Sequence, residues 1–414
     1  MKNFRKIILS LSLISSVNCF ISAQDIPENW LSLYNELESK LQYIDSTMDS
    51  KWDGEKYCTS YCTNLLPANS AKGPEMLEQL PELNNVKAHL HALDSMGITS
   101  IDLAIQYPTL VDSFPQANEY LFYYQQVVQE IRNRNMQIIV GCQATVRDSV
   151  YGHMPVDSFY MDLNSVRYKA EKLQMLQTII DSLQPDYLTI EMEPETQADN
   201  LPLDFSFDNV MNYVNFFLNG IDKNGVKIGA GSGSWDDLVF IDSIAKLQDI
   251  DYIDYHIYPV NQNCFVNNVF KIDSIANVYN KPLVIGESWL YKATDEEIID
   301  TTISPPDIFY RDVYKFWMPL DSLFLSSVIK LSHYSKTEIT SLIWSNLFFA
   351  YIDYLPVYDS IWPGHVLNIA WQASGPNIYS HTLTPTGELY KELIEDACNP
   401  FQEYFPIFHM KPIE

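Results

Sequence analysis

Apolar and polar positions along this chain follow two periods. In the segment 24–50, apolar residues recur every three or four positions, which predicts an amphipathic helix with the stripe Trp30, Leu33, Leu37, Leu41 and Ile44. Beyond it, short β-branched runs alternate with longer segments of helical periodicity. Strands are predicted in 57–66, 99–108, 136–146, 186–194, 226–234, 251–259, 282–289 and 339–349. Helices are predicted in segments that include 83–96, 116–133, 166–183, 208–222 and 238–247.

This alternation predicts an α/β protein. Strands that alternate with helices pair in parallel through right-handed crossovers, and eight of them suit a closed (β/α)8 TIM barrel better than an open sheet. We expect a signal peptide in 1–23, an N-terminal helical extension in 24–54, the barrel in 55–395 and a C-terminal tail in 396–414.

The first residues predict export. Lys2, Arg5 and Lys6 precede an apolar run, 7–17, and the small residues Ser22 and Ala23. The run is too short for a membrane span, so we expect a cleaved secretory signal and a secreted, periplasmic or cell-surface protein without a membrane span. Lipidation at Cys19 is a minority alternative, because Asn18 suits that cleavage site poorly.

Charge and cysteine content narrow the choice of partners. The formal net charge is −27, and it becomes −30 once the three lysine and arginine residues of 1–23 are removed. A face basic enough for nucleic acid or anionic membranes is therefore not expected. Cys58 and Cys62 are close enough for a small disulfide bridge, while a zinc site is disfavoured. We expect a monomer without metal or cofactor.

Acidic residues collect at the end of the fourth predicted strand, in the segment YLTIEMEPETQ (187–197). Strict alternation places Thr189, Glu191 and Glu193 inside the barrel and Leu188, Ile190 and Met192 against the helices. Glu195 falls on the following loop. Glu191 lies one layer deeper, where a hydrogen-bonded structural carboxylate is the better interpretation.

The later strands end in further candidates. On the sixth strand, Asp254, His256 and Tyr258 share one face. On the seventh, Glu287 shares a face with Leu283 and Ile285, and on the eighth, Leu342, Trp344 and Asn346 lie together.

Glu193 and Glu287 therefore face each other across the predicted barrel mouth. Such a pair suits glycoside hydrolysis, in which one protonated carboxyl donates to the leaving oxygen and one carboxylate attacks the sugar carbon. Like charge between the two would help to retain one proton.

Four short motifs then suggest a family. EMEP (191–194), DYHIYP (254–259), VIGES (284–288) and LIWS (342–345) together resemble the strand ends of retaining (β/α)8-barrel glycoside hydrolases of the cellulase-, mannanase- and galactanase-like clan. The resemblance implies that Glu193 is the acid/base and Glu287 the nucleophile. It also implies that His256 and Tyr258 orient the nucleophile, that Trp344 is a platform under the sugar, and that an oligo- or polysaccharide is the substrate. Further substrate contacts are predicted from Gln106, Gln143, Trp235 and Trp289.

Two departures from the family pattern leave alternatives open. Met192 stands where the family usually has asparagine, and Gln106 stands where an arginine is common. A non-catalytic carbohydrate-binding barrel is therefore the main alternative. A metal-dependent hydrolase that uses His256 and Asp254 is a weaker one, because no second histidine ends a strand. His256 and the three tryptophans could also be ordinary core residues.

Overall fold

The barrel closes from strands paired in chain order. A computed structural model describes residues 25–70, 82–145, 155–300, 303 and 305–396. All neighbouring strands are parallel, and β8 pairs with β1. The strands are β1 Ser60–Asn64, β2 Ser100–Ala104, β3 Gln137–Gly141, β4 Tyr187–Glu191, β5 Lys227–Gly233, β6 Tyr252–Ile257, β7 Leu283–Ser288 and β8 Ile339–Leu342. Each lies within its predicted segment, and the predicted TIM barrel is confirmed. The predicted signal peptide and residues 397–414 lie outside the described residues.

Helices follow the strands as the periodicity predicts. In the described part of the chain they are α1 Leu31–Lys51, α2 Leu83–Ser95, α3 Ala117–Arg132, α4 Pro155–Tyr160, α5 Ser165–Leu183, α6 Pro194–Asn200, α7 Phe207–Gly220, α8 Val239–Ala245, α9 Val269–Tyr279, α10 Asp295–Ile299, α11 Pro305–Phe309, α12 Met318–Ser335, α13 Pro363–Ser380 and α14 Pro385–Asp396. The Asn164 side chain caps α5 by accepting from the amides of Val166 and Arg167.

Alternation along the strands separates two apolar layers. One small cluster fills the barrel interior with Cys62, Ile139, Tyr187, Tyr252, Val284 and Ile339. Residues of opposite parity, such as Leu188, Ile253 and Ile285, join the large cluster beneath the helices. The interior is therefore packed with side chains, and the polar strand ends lie above this layer.

The N-terminal helix is part of the main core. Leu33, Leu37, Leu41, Ile44 and Met48 are buried along one face of α1, as the sequence stripe predicts, and α1 packs against α12. The rings of Tyr34 and Trp317 stack at a centroid distance of 5.7 Å.

Cysteine pairing differs from the prediction. Cys58 is disulfide-bonded, whereas Cys62 is free and buried in the barrel interior. Cys62 is part of β1 and its side chain fills the layer inside the barrel, so the proposed Cys58–Cys62 bridge is wrong. Within the described residues, no helix combines the length and apolar character needed to cross a membrane.

Candidate active site

The end of β4 departs from strict alternation. The pairing of β4 with β5 shifts between Thr189 and Glu191, which is a bulge. Glu191 is consequently turned towards α5, where its Oε2 accepts from Lys172 Nζ at 2.9 Å and from the Tyr168 hydroxyl. The prediction that Glu191 faces the barrel interior is therefore wrong, and the prediction that it is a hydrogen-bonded structural carboxylate is confirmed.

The same bulge turns Met192 inwards. A Cβ atom on Gly141 of β3 would lie 3.2 Å from Met192 Sδ, so the methionine occupies the space that this glycine leaves. The expectation that Met192 faces the helices is wrong, because one extra residue reverses the parity of the strand. The Gln197 side chain then ties β4 to β3 by bonding the Met192 carbonyl and the Ala144 amide.

Glu193 sits at the mouth of the barrel in a left-handed backbone conformation, with φ of 47°. This conformation is unfavourable for a residue other than glycine, and such strain is concentrated at functional sites. Pro194 begins α6 directly afterwards. The residue is 6% exposed, and its Oε1 lies 2.5 Å from His256 Nδ1.

Glu287 reaches the same place through a second bulge. The β6–β7 pairing shifts so that Ile285 pairs with Tyr255 and Glu287 with His256. Ile285 packs under the helices, whereas Glu287 turns to the barrel mouth. The shared face predicted for these two residues is therefore wrong. A Cβ atom on Gly286 would lie 2.2 Å from Asp254 Oδ1, so only glycine permits the aspartate to approach here.

The two carboxylates are close together. Oxygens of Glu193 and Glu287 lie within 4.8 Å of each other, with His256 Nδ1 within the same distance of both. The Tyr258 hydroxyl donates to Glu287 Oε2. His256 Nδ1 lies 3.8 Å from Glu287 Oε2, farther than from Glu193. Of the two sixth-strand residues predicted to orient Glu287, Tyr258 therefore bonds to it, and His256 pairs with Glu193 instead.

Polar residues continue below His256 into the barrel. His256 Nε2 lies 3.8 Å from Asp254 Oδ1, and Asp254 Oδ2 accepts from Thr189 Oγ1 at 2.7 Å. Thr189 Oγ1 in turn lies 2.8 Å from the Tyr252 hydroxyl. This column fixes the sixth strand against the fourth directly beneath the carboxylates.

Burial and charge act on the three central groups in different directions. Burial alone would raise the pKa of Glu193, but His256, Thr196 and Gln143 bring it below the ordinary value. Burial raises the pKa of Glu287, and the negative Glu193 adds to this while His256 and Tyr258 oppose it. Burial would lower the pKa of His256, yet Glu287 and Glu193 raise it well above the ordinary value. The imidazole is therefore positively charged between two acids.

The two predicted glutamines lie at the ends of neighbouring strands. Gln143 follows β3 and helps to lower the pKa of Glu193, which places it at the site. Gln106 follows β2 and is 3% exposed, and its Oε1 has no hydrogen-bond partner in the described part of the chain. Such a buried, unpaired oxygen is available to a ligand or to water.

The three predicted tryptophans occupy different environments. Trp235 packs over Gly233, with its ring centroid 5.6 Å from that of Tyr258. Trp344 is half-buried and lies 5.1 Å from the Phe309 ring. Trp289 has no exposed surface and packs in the core. The structure therefore contradicts the prediction that Trp289 contacts substrate, because the residue is enclosed by core side chains.

A row of aromatic rings links the other two tryptophans. Neighbouring centroids lie 5.1–5.6 Å apart along Trp235, Tyr258, Tyr291, Phe309 and Trp344. Tyr291 and Phe309 were not predicted from the sequence, because both lie beyond the end of β7, where no strand periodicity marks them. Asp236 was also missed, although an acid three residues after β5 was a usable signal.

Glu193, His256 and Glu287 are also a donor set that a divalent cation accepts, since their ligand atoms lie within 4.8 Å of one another. However, the direct 2.5 Å contact already joins Glu193 Oε1 and His256 Nδ1, the atoms that a cation would need, as a hydrogen-bonded pair. Within the described residues this geometry fits a proton-sharing pair better than a metal centre.

Comparisons with known proteins support the fold. No protein-family model and no curated protein matches the sequence. Among solved structures, GH5_18 from Bifidobacterium longum subsp. longum is similar with a TM-score of 0.51 and 11% identity, over 81% of this chain and 79% of that chain. A variant of it in complex with Manβ1-4GlcNAc gives 0.52 and 10%, over 81% and 78%. A glycoside hydrolase family 5 enzyme from Prevotella bryantii gives 0.46 and 12%, over 81% and 96%. The chain is thus structurally similar to glycoside hydrolases of family 5.

Proposed function

We propose that this protein is an exported glycoside hydrolase that cleaves neutral β-linked glycans with retention of configuration. The observation that carries the proposal is the pair Glu193 and Glu287, whose oxygens lie within 4.8 Å at the ends of β4 and β7. A separation near 5 Å is typical of retaining enzymes, whereas inverting enzymes leave room for a water molecule. Similarity to family 5 barrels adds weight to the choice of reaction.

In the first step, a Glu287 oxygen attacks the anomeric carbon as the bond to the leaving oxygen breaks. Glu193 gives its proton to that oxygen. In the free protein the nearby proton is held on His256, whose Nδ1 is hydrogen-bonded to Glu193. Substrate that excludes water raises the pKa of Glu193, which moves this proton onto the carboxylate.

In the second step, water replaces the leaving group. Glu193 removes a proton from the water, whose oxygen attacks the anomeric carbon and breaks the ester bond to Glu287. Once Glu287 is esterified its negative charge is gone, so the pKa of Glu193 falls and the residue is a base. Asp254, which accepts a hydrogen bond from Thr189, stays 3.8 Å below the imidazole throughout.

A non-catalytic carbohydrate-binding protein is the second candidate. Met192 favours it, because a thioether faces the barrel interior beside Glu193 where an amide would bond to a sugar hydroxyl. The N-terminal pattern and high negative charge support export and an uncharged glycan as partner in either case. A monomeric state stays a prediction.

Glu287→Gln separates the candidates. We expect hydrolysis of aryl β-glycosides and of an accepted polysaccharide to fall at least about 1,000-fold, because the nucleophile is lost.

The stability of the same variant is a second readout. The pKa of Glu287 is raised in the folded protein, so ionised Glu287 destabilises the fold once the pH exceeds the ordinary pKa of a glutamate. The variant's Tm at pH 7 should therefore equal or exceed that of the wild type. Wild-type glycan binding without any turnover would favour the binding protein, and full activity of the variant would exclude the proposed mechanism.

A further inference from the structure

A second concave site adjoins Glu193. The segments that follow β4 and β5 enclose a pocket of about 210 Å³. Its apolar walls are Pro194, Phe205, Phe207, Val210, Val239 and Phe240. The polar groups of the pocket come from Glu195, from Ser232 near the end of β5 and from Asp236 and Asp237 in the segment that follows β5. A mostly apolar cavity with a few convergent polar groups is the usual form of a small-molecule site.

Asp236 is the polar group that points to a ligand. It is 7% exposed, and its Oδ2 accepts from the Gly233 amide at 3.0 Å. Its Oδ1 has no hydrogen-bond partner among the described residues. Burial, followed by the charges of Glu195 and Glu193, raises the pKa of Asp236 to about 8. At neutral pH the carboxyl is therefore protonated, and it shares this proton with the Glu195 carboxylate of the same pocket, so that the pair can bond to one further polar group.

The position of the pocket relative to Glu193 indicates which part of a substrate it meets. Pro194 and Glu195, which directly follow Glu193, form part of its wall, and Asp236 is close enough to Glu193 for their charges to interact. The proposed acid/base must lie beside the leaving oxygen, so the group attached to that oxygen extends past Glu193.

We infer that this pocket binds the leaving group of the substrate and that it favours an uncharged aromatic aglycone bearing a hydroxyl group. The inference rests on the proposed glycosidase function and names its substrate class. Phe205, Phe207 and Phe240 offer the ring edges and faces against which an aromatic ring packs. The Asp236–Glu195 pair, with the unpaired Asp236 Oδ1, offers one buried polar position, which matches one hydroxyl.

Charge and polarity argue against other leaving groups. An anionic group would meet Glu195 and Asp237 at the same pocket. A hexose would bring several hydroxyl groups against phenylalanine rings, and each buried hydroxyl without a partner costs binding free energy. A phenolic ring avoids both the charge repulsion and the cost of several unpaired hydroxyl groups.

Phe207→Ala tests the pocket, and Phe216→Ala is its matched control. Both phenylalanines lie on α7 and are 45% and 39% exposed, but only Phe207 lines the pocket. For the sugar that the protein accepts, kcat/KM is measured on the methyl, phenyl and 4-hydroxyphenyl β-glycosides. We expect Phe207→Ala to lower the phenyl-to-methyl ratio roughly tenfold, because ring burial is lost. Phe216→Ala should leave the ratio unchanged. Comparing ratios between variants cancels the intrinsic reactivity of each aglycone.

The pH dependence supplies a second readout. Ionised Asp236 would face Glu195, Glu193 and Asp237, with the Cys264 thiol as a further neighbour. Covering that charge with a ring is unfavourable, so the phenyl-to-methyl ratio should fall as the pH rises through about 8. In Asp236→Asn the ratio should stay constant over the same range.

Binding of 4-fluorophenol, followed by ¹⁹F NMR line broadening, tests the pocket without turnover. The pocket is supported if the wild type broadens the 4-fluorophenol signal, Phe207→Ala abolishes the broadening and Phe216→Ala retains it. If this result is obtained and no glycoside is hydrolysed, only the proposed function fails. If the protein hydrolyses glycosides but Phe207→Ala changes neither the phenyl-to-methyl ratio of kcat/KM nor the broadening, the inference is overturned. A disaccharide cleaved as well as the 4-hydroxyphenyl glycoside, with equal sensitivity to Phe207→Ala, overturns the aromatic assignment.

Discussion

Tyr258 and His256 each contact a different one of the two candidate catalytic carboxylates. The tyrosine hydroxyl donates to Glu287, and the imidazole pairs with Glu193. A donated hydrogen bond stabilises the ionised form of Glu287, which is the form that attacks a sugar carbon. His256 on β6 and Tyr258 directly after it thus support opposite halves of the proposed reaction.

Tyr258→Phe should therefore act on Glu287. Burial raises the pKa of this carboxyl and the Tyr258 hydrogen bond opposes the rise, so removing the bond raises the pKa further. The acidic limb of the kcat/KM profile, along which Glu287 loses its proton, should move to higher pH. At neutral pH the loss should be about 10- to 100-fold, as for a hydrogen bond to a charged group.

Tyr291→Phe is the control for this change. Its ring lies 5.2 Å from Tyr258, but its hydroxyl is not the donor to Glu287. We expect the acidic limb to stay in place. A limb that does not move in Tyr258→Phe would contradict the assigned role of the hydrogen bond.

At the scale of the element, two bulges decide which residues reach the barrel mouth. The bulge in β4 turns Glu191 towards α5 and Met192 inwards. The bulge in β7 places Glu287 on a different face from Ile285. The β4 bulge is held from behind by the buried pair of Lys172 and Glu191. Alternation predicted which strands carry the acids, but it placed Glu191 and Met192 on the wrong faces, because a bulge depends on a neighbouring strand.

Lys172→Met tests the support behind β4. Both partners of the Lys172–Glu191 pair are fully buried, so the variant leaves a buried carboxylate without its cation. We expect a loss of about 3–5 kcal/mol in the free energy of unfolding, measured by urea denaturation. Burial already raises the pKa of Glu191 and Lys172 opposes this, so the loss should be larger at pH 8 than at pH 5.

The same substitution at an exposed pair is the comparison. Lys246 pairs with Asp242 on the surface, with half of the lysine side chain exposed to solvent. Lys246→Met should leave the urea midpoint unchanged, since exposed ion pairs contribute little. Equal effects in the two variants would mean that Lys172 has no special role.

At the scale of the whole molecule, α1 and the barrel form one hydrophobic core. The apolar stripe of α1 belongs to the same cluster as the outward-facing strand residues, and α1 is packed against α12. A helix that joins the main core should unfold together with it.

Leu37→Ala tests this coupling. Leu37 is fully buried, and we expect a loss of about 2–5 kcal/mol with a single urea transition. Leu31→Ala, on the same helix but 43% exposed, should change the free energy of unfolding by less than about 0.5 kcal/mol. A separate early transition for α1 would show that the helix is an independent arm.

Sequence patterns were sufficient to predict the barrel, its strand order and the strands that carry the candidate acids. These depend on local periodicity, which each segment carries regardless of the rest of the chain. The three-dimensional structure was needed to show that His256 pairs with Glu193, that Trp289 is core, that Cys62 is free and that Asp236 lines a pocket beside Glu193. Each of these depends on contacts between residues far apart in the chain, and the bulges that align them arise from pairing between strands, which no local pattern encodes.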